Sequence, residues 1–435
     1  MLAQGDGIQQ DATRGLAVIS AAAAGAPTLY VTLGDLLVDG KAGPADPNAA
    51  IRAYEAASLA GNIDGDMRLA ELYLDGKSIP ADHAKAFMYF EKGMDGGSES
   101  AAVQIARMLI VGDGAQQDVA RGSQILDRLR PKASSRTLVA VGDLFAGKTV
   151  GVPLDLTRAV AYYQLAAKNG DPLSLLALGD ALALVIPSAP DVDAIVGAYE
   201  KAAAGGNVDA LLRLGDLFSE GRVLPPNLDK AAGYYAAAAQ AGSTSAAISL
   251  AGLKVEAGHI QAGLADLNAL GASGSAGAYV MIGDLLAQGR GPPEGAVAAY
   301  LHAVQMGRTD AMIKLGDLYR YGGIVKRRAK TAISYYQTAV NAGSAYGLYA
   351  LGSGYLEGDL GTGGTTAHGL ELLEQAESQG ISDAPVAIAQ SYEFGYGVKS
   401  SIPTATKLLE TSAAAGNTAA ISHLISIYRD GIVNH

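Results

Sequence analysis

Residues Gly142-Asp143-Leu144-Phe145-Ala146-Gly147-Lys148-Thr149 fit the pattern GxxxxGK[ST] at every position. In a phosphate loop that spacing wraps backbone amides and a lysine around a nucleotide. The chemistry needs a β-strand before the glycines and a helix directly after them. Here Gly142 falls inside an apolar 3–4 pattern, and the residues after Thr149 run into Pro153. Nucleotide binding is therefore not expected. The histidines His83, His259, His302, His368, His423 and His435 include no pair at i, i+3 or i, i+4, so no helical metal motif is formed. There is no G-x-S-x-G elbow, and the absence of cysteine excludes thiol catalysis, disulfides and cysteine metal sites. We assign no catalytic, metal or cofactor-binding residue and expect no cofactor and no enzyme activity. Two sets of charged residues remain. One is a series of carboxylates, Asp35, Glu71, Asp143, Asp180, Asp216, Asp284 and Asp317. The other is a basic cluster, Arg320, Lys326, Arg327, Arg328 and Lys330.

The carboxylates are periodic because the chain is. A phrase such as Leu33-Gly34-Asp35-Leu36 returns as Val141-Gly142-Asp143-Leu144, Leu178-Gly179-Asp180-Ala181, Leu214-Gly215-Asp216-Leu217, Ile282-Gly283-Asp284-Leu285 and Leu315-Gly316-Asp317-Leu318. Weaker copies sit at Leu69, Ile105, Leu250, Leu351, Ile388 and Leu424. The period is 36 or 37 residues except after Leu250 and Ile282, where it shortens to 32 and 33. A fixed period of this length means a small unit stacked many times. It overrides the two or three domains that 435 residues would otherwise suggest. We read residues 1–435 as one continuous repeat domain, with altered twist expected near residues 250–300. Asp11 to Gly25 reads as the second half of a unit and Ile421 to Gly431 as a first half, so a segment of a longer protein is expected.

Composition narrows the class further. Hydrophobic residues make up 49% of the chain, much of it alanine, which favours close helix packing. The formal net charge of −11 argues against a general nucleic-acid binder. No run of 18 apolar residues is present, so no membrane span is expected.

One unit, Asn207 to Gly242, shows how the elements place the charges. Asn207 caps a helix whose apolar residues Ala210, Leu211, Leu214, Leu217 and Phe218 follow 3–4 spacing. Gly221 stops it and Pro225-Pro226 makes a stiff turn. Asn227 or Asp229 caps a second helix through Tyr234-Tyr235, which Gly242 ends. At 100° per residue, the Asp after the repeat glycine points away from the leucine stripe. In several units a second acid lies near it, as in Asp216 with Glu220. The tyrosines of the second half read as packing between helices.

The unit, Ala-x2-3-Leu-Gly-x-Leu-Tyr-x2-Gly, then a Gly/Val/Pro loop, then Ala-x2-Tyr-Tyr-x2-Ala-Ala-x2-Gly, resembles the Sel1-like repeat, a relative of the tetratricopeptide repeat. Leu315-Gly316-Asp317-Leu318-Tyr319 and Gly395-Tyr396-Gly397-Val398 carry it most closely. The resemblance covers essentially the whole chain. It implies an all-α, right-handed solenoid superhelix of about twelve helix–turn–helix repeats, partial at both ends. Gly122 to Arg130 departs from it by lacking the tyrosine pair.

In such solenoids first helices line the concave face, and the position after the glycine contacts partners. The seven carboxylates would then form a partner-binding column, interrupted by Arg107. The other reading is a structural or solvating role. The basic cluster reads either as a solvated loop or as a patch for an acidic ligand. By resemblance, the expected function is a non-enzymatic protein–protein interaction scaffold of the bacterial envelope, linked to exopolysaccharide synthesis, export or its regulation. Its expected partners are envelope or polysaccharide-machinery proteins, and its expected location is the periplasm or the outer membrane, with the cytoplasm as the other possibility. The alternative is a carbohydrate-binding solenoid that recognises an anionic polysaccharide.

Overall fold

Helices begin in this chain where a short polar side chain can take up an orphan backbone N–H. Several first helices of the repeats are capped by Asn or Ser. Asn207 accepts from Ala210 N at 3.0 Å and Ser98 from Ala101 N at 3.2 Å. Second helices are capped mainly by Asp, with Asp82 accepting from Lys85 N at 3.0 Å and Asp155 from Arg158 N at 2.9 Å. In the sixth repeat the cap is Asn227. The same cap residue also closes the turn, since its N–H donates to a carbonyl in the last turn of the first helix. Examples are Asp82 N to Tyr73 O at 2.8 Å and Asn227 N to Phe218 O at 2.7 Å. Gly221, at φ +70°, ends its helix in the left-handed region that glycine enters without a Cβ penalty.

The computed structural model describes residues 17, 19, 21–23, 26, 28–38, 40, 44–149, 151–184, 191–361, 366–414 and 417–429. The half-unit expected at Asp11 to Gly25 lies largely outside the described residues. Among the described residues there are twenty-three α-helices of 11 to 13 residues, from Thr28–Val38 to Thr418–Arg429, and no β-strand. Two compact units divide between Gly206 and Asn207. In each, a helix packs on the next one in sequence, as expected of stacked helix pairs. The fold is an all-α solenoid of such pairs.

The cores are built from repeat leucines and second-half rings. In the first unit Leu69, Ile105, Met108, Phe90 and Tyr163 are almost completely buried; in the second, Leu214, Leu267, Leu315 and Tyr336 are. The shortened seventh repeat keeps both helices but joins Thr244–Glu256 to Ile260–Ala272 through residues 257–259 alone. No helix among the described residues is long and apolar enough to cross a membrane.

Candidate functional site

The repeat phrase Gly-Asp has a specific partner in the second helix of its own repeat. Tyr54, Tyr163, Tyr199, Tyr235, Tyr300 and Tyr336 donate their hydroxyls to Oδ1 of Asp35, Asp143, Asp180, Asp216, Asp284 and Asp317 at 2.6–2.9 Å. Each ring lies over the glycine that precedes its aspartate. A methyl group at Gly34, Gly142, Gly179, Gly215, Gly283 or Gly316 would sit closer than 3.0 Å to ring carbons of the same tyrosines. Glycine thus makes the seat, the ring fills it, and the carboxylate holds the hydroxyl. The aspartates are half-buried while the six tyrosine rings are buried. Burial is the main force that pushes the hydroxyls of Tyr163, Tyr235, Tyr300 and Tyr336 far above the ordinary phenol value, and the adjacent carboxylate adds to it.

Several of these carboxylates also receive a cation. Arg68 Nε lies 3.2 Å from Asp35 Oδ1 and Lys314 Nζ 2.8 Å from Asp284 Oδ1. Both cations belong to the first helix of the following repeat, directly before its repeat leucine or equivalent. Asp143 is met by Lys148 Nζ at 2.5 Å, from its own repeat. Burial raises the carboxyls of Asp216 and Asp317 above their usual range, against the lowering effect of the tyrosine hydrogen bond. Glu71 differs from the other six. It is exposed, pairs with Arg68 at 3.2 Å, and the ring in its repeat is Phe90, which has no hydroxyl. The structure therefore brings six of the seven predicted acids onto one kind of internal bond.

Where Gly-Asp is missing, the tyrosine is missing too. The small residues Ala70, Ala106, Ala251, Gly352 and Ala389 face a second helix whose equivalent position is Phe90, Leu126, Leu267, Leu373 or Leu409. In three of these repeats the second helix carries a glycine at the contact, in the tenth in addition to Gly352. A Cβ at Gly122, Gly263 or Gly369 would meet the carbonyl oxygen of Ala106, Ala251 or Gly352 at 2.5–3.1 Å.

Gly142 to Thr149 is an ordinary helix end. Gly142 lies within the helix Ser135–Phe145 under the Tyr163 ring, and Lys148 is held by Asp143. The basic cluster is divided. Arg320 lies in the last turn of Thr309–Tyr321 and is only 2% exposed. Its Nη2 contacts Glu357 at 2.8 Å and Asp359 at 3.3 Å, which ties one repeat to the next. Arg327 pairs with Asp359 at 3.0 Å. Arg320 is thus a buried staple and not part of a surface patch, because two carboxylates of the next repeat draw it inward. Lys326, Arg328 and Lys330 are exposed. Sequence reasoning missed Arg320 by assigning it to the loop; its signal was the acidic pair Glu357 and Asp359 one period on.

The family model described as the Sel1 repeat matches residues 33–62, 64–98, 138–171, 208–243, 309–344, 345–381 and 386–417. Its longest interval without a match is 244–308, the two shortened repeats. The chain is similar to a protective antigen of uropathogenic Escherichia coli displaying an SLR fold, with 20% identity over 96% of this chain and 91% of that one and a TM-score of 0.45. It is similar to a Sel1 repeat protein from Oxalobacter formigenes, with 26% identity over 49% of this chain and 88% of that one and a TM-score of 0.37. It is also similar to yeast Tom70, with 12% identity over 94% and 97% and a TM-score of 0.48. None of the curated proteins matches the chain.

Proposed function

Because the chain belongs to the Sel1 repeat family, we propose that it is a non-enzymatic scaffold for protein–protein interaction in the bacterial envelope, serving exopolysaccharide synthesis or export or its regulation. Repeat proteins of this kind typically mediate interactions between proteins, and seven matched units carry the reading. The envelope and the polysaccharide machinery rest on the family resemblance alone. Contact with partners through the acid column is part of the proposal. A partner there meets carboxylates already oriented by a tyrosine hydroxyl, so basic or hydrogen-bond-donor groups suit it. The test is photo-crosslinking in the native cell from residues beside Asp216 and Asp284, with cell fractionation. Crosslinks to envelope proteins that weaken in Asp180→Asn/Asp216→Asn/Asp284→Asn support the column. Crosslinks confined to cytosolic proteins would remove the envelope assignment.

The carbohydrate-binding alternative draws on exposed rings, Tyr321 at 62%, Tyr346 at 60% and Phe394 at 56% exposure, together with Lys326, Arg328 and Lys330. Titration with a soluble polyuronate tests it. Binding that survives Lys326→Ala/Arg328→Ala/Lys330→Ala would count against the basic loop as its site.

A further inference from the structure

Four repeats stack a second pair of rings, one from each helix: Tyr73–Tyr89, Phe145–Tyr162, Phe218–Tyr234 and Tyr319–Tyr335, with centroids 5.8–6.2 Å apart. Cations lie over three of these pairs. The second repeat uses two lysines of its own second helix, Lys85 at 4.9 Å from the Tyr73 centroid and Lys92 at 4.9 Å from that of Tyr89. The sixth has Lys230 at 4.9 Å from Phe218. The fourth differs, because both its cations are arginines and they come from two repeats. Arg158 Cζ lies 4.1 Å over Phe145, and Arg130 Cζ, from the end of the third repeat, lies 5.6 Å over Tyr162.

The corner that supplies Arg130 is basic in an acidic chain. Residues 128–136 hold Arg128, Arg130, Lys132 and Arg136 and no carboxylate, while the whole chain has a net charge of −11. All four are exposed, and neither they nor Arg158 form an ion pair among the described residues. The dipole at the end of helix Val119–Leu129 favours Arg128 and Arg130. It opposes Arg136, in the first turn of Ser135–Phe145, where Ile63–Asp75, Glu99–Val111, Val208–Glu220 and Thr309–Tyr321 place Asp or Glu. The turn is also pinned. Ser134 N, Ser134 Oγ and Thr137 Oγ1 donate to Glu99 Oε2 at 3.1, 2.9 and 2.6 Å, which uses up the nearest acid of the preceding first helix.

Stacking on a ring fixes the plane of a guanidinium and leaves its N–H edge to grip a carboxylate with two parallel bonds. The rings beneath are only 4% and 3% exposed, so no aromatic face remains for a sugar. Burial raises the pKa of the Tyr162 hydroxyl, Asp127 adds to this, and Arg158 and Arg130 oppose it, so one carboxylate faces the same ring as the two cations. That charge works against a phosphate dianion or a long polyanion and leaves a few carboxylates as the fitting load.

We infer that Arg130 and Arg158, mounted on the Phe145–Tyr162 pair, dock a short acidic segment of a partner protein through its Asp or Glu carboxylates. The inference shares with the scaffold reading only that the partner is a protein; its surface carries the charge opposite to that of the acid column.

The probe is a labelled Gly/Ser peptide with three consecutive glutamates, and the control carries glutamines instead. Saturable binding that weakens with salt is expected for the first and none for the second. Arg130→Lys/Arg158→Lys keeps both charges and loses the planar forks, and should weaken binding about tenfold or more with helical content retained. Lys85→Gln/Lys92→Gln strips the cations from the second repeat's rings and should change nothing. Asp127→Asn should tighten binding about threefold by removing the opposing charge, which keeps the test open if the arginine variant misfolds. No saturable binding, equal binding in the double-lysine variant, loss in the Lys85/Lys92 variant, or binding not tightened in Asp127→Asn overturns the inference. Stronger competition by inorganic phosphate or a soluble polyuronate than by unlabelled glutamate peptide overturns it too. So does self-association of the wild type that the peptide disperses, since a second copy would then be the occupant. If the peptide fails while the Asn-substituted column still loses its crosslinks, the scaffold reading stands without this site; if the peptide binds while those crosslinks persist, the site stands without the column.

Discussion

In the sixth repeat Tyr235 lies over Gly215 and donates a 2.9 Å hydrogen bond to Asp216. In the seventh, Leu267 takes the equivalent buried seat, and the glycine that lets the helices close is Gly263, on the opposite helix. The two repeats are neighbours, and both seats are buried. A buried leucine is worth ~1.5–3 kcal/mol, and a hydrogen bond to a charged acceptor ~1.5–3 kcal/mol net. Cohesion alone does not separate them. Register does: a leucine tolerates small slides of one helix along the other, whereas a phenol must meet one oxygen. The difference teaches that the polar latch fixes the register of the repeats that carry it, the eighth included, whereas the seventh closes on apolar packing alone.

The largest expected effect comes from denying the ring its seat. Gly215→Leu should lower stability by at least the ~1–3 kcal/mol typical of overpacking, because the added side chain falls inside the Tyr235 ring. Gly233, two residues before Tyr235 on the exposed side of its helix, has open space at its Cβ. Gly233→Leu should leave the melting temperature unchanged or raise it. Equal losses in both variants would break the assignment of Gly215 to a helix contact.

Removing only the hydroxyl should cost less. Tyr235→Phe leaves half-buried Asp216 without its donor, at ~1–3 kcal/mol. Phe90→Tyr in an unlatched repeat should gain nothing by itself, since Ala70 and Glu71 stand where Gly and Asp are needed. Ala70→Gly/Glu71→Asp/Phe90→Tyr should recover the gain. Urea unfolding of these variants reads the latch directly. A gain from Phe90→Tyr alone would show that the carboxylate is dispensable.

The latch also predicts a pH limit. The folded-state pKa values of Tyr163, Tyr235, Tyr300 and Tyr336 lie above the unfolded value near 10. Their contribution is therefore complete below pH ~10 and is lost as pH rises beyond it. Alkaline melts should fall more steeply for the wild type than for a variant with these four tyrosines changed to Phe. Asp216 and Asp317 follow the same sign at lower pH. Their raised folded values favour folding below the unfolded value of 3.8 and the benefit fades as pH rises through the folded ones. Asp216→Asn/Asp317→Asn should flatten that arm. Superimposable acid and alkaline profiles would mean that these groups are not buried.

The period, the helix pairs, their caps and the glycine contact were all legible in the sequence, because each is local or repeats at fixed spacing. The latch was legible but went unread. Asp and Tyr lie 19 or 20 residues apart, and 16 in the eighth repeat, and each repeat whose leucine or equivalent is followed directly by Gly-Asp carries its tyrosine. Helical-wheel geometry placed the aspartate away from its own helix's core stripe, which is correct for that helix, and was silent about the second helix that covers it.

The smallest effect concerns links between repeats. Lys314 reaches Asp284 across a repeat boundary, with side chains 38% and 27% exposed. An exposed ion pair is worth ~0–1 kcal/mol and weakens with salt. Tyr300 already satisfies Asp284 from within the repeat, so Lys314→Met should cost no more than that and should become silent at high salt. Tyr300→Phe should keep its cost at high salt, because the hydrogen bond is internal. A double-mutant cycle over the two variants separates them. Near-additive losses would show that latch and inter-repeat pair act independently on one carboxylate. A coupling comparable to the latch itself would mean that the cation orients Asp284 for the tyrosine, and that the hold within a repeat depends on the repeat that follows it.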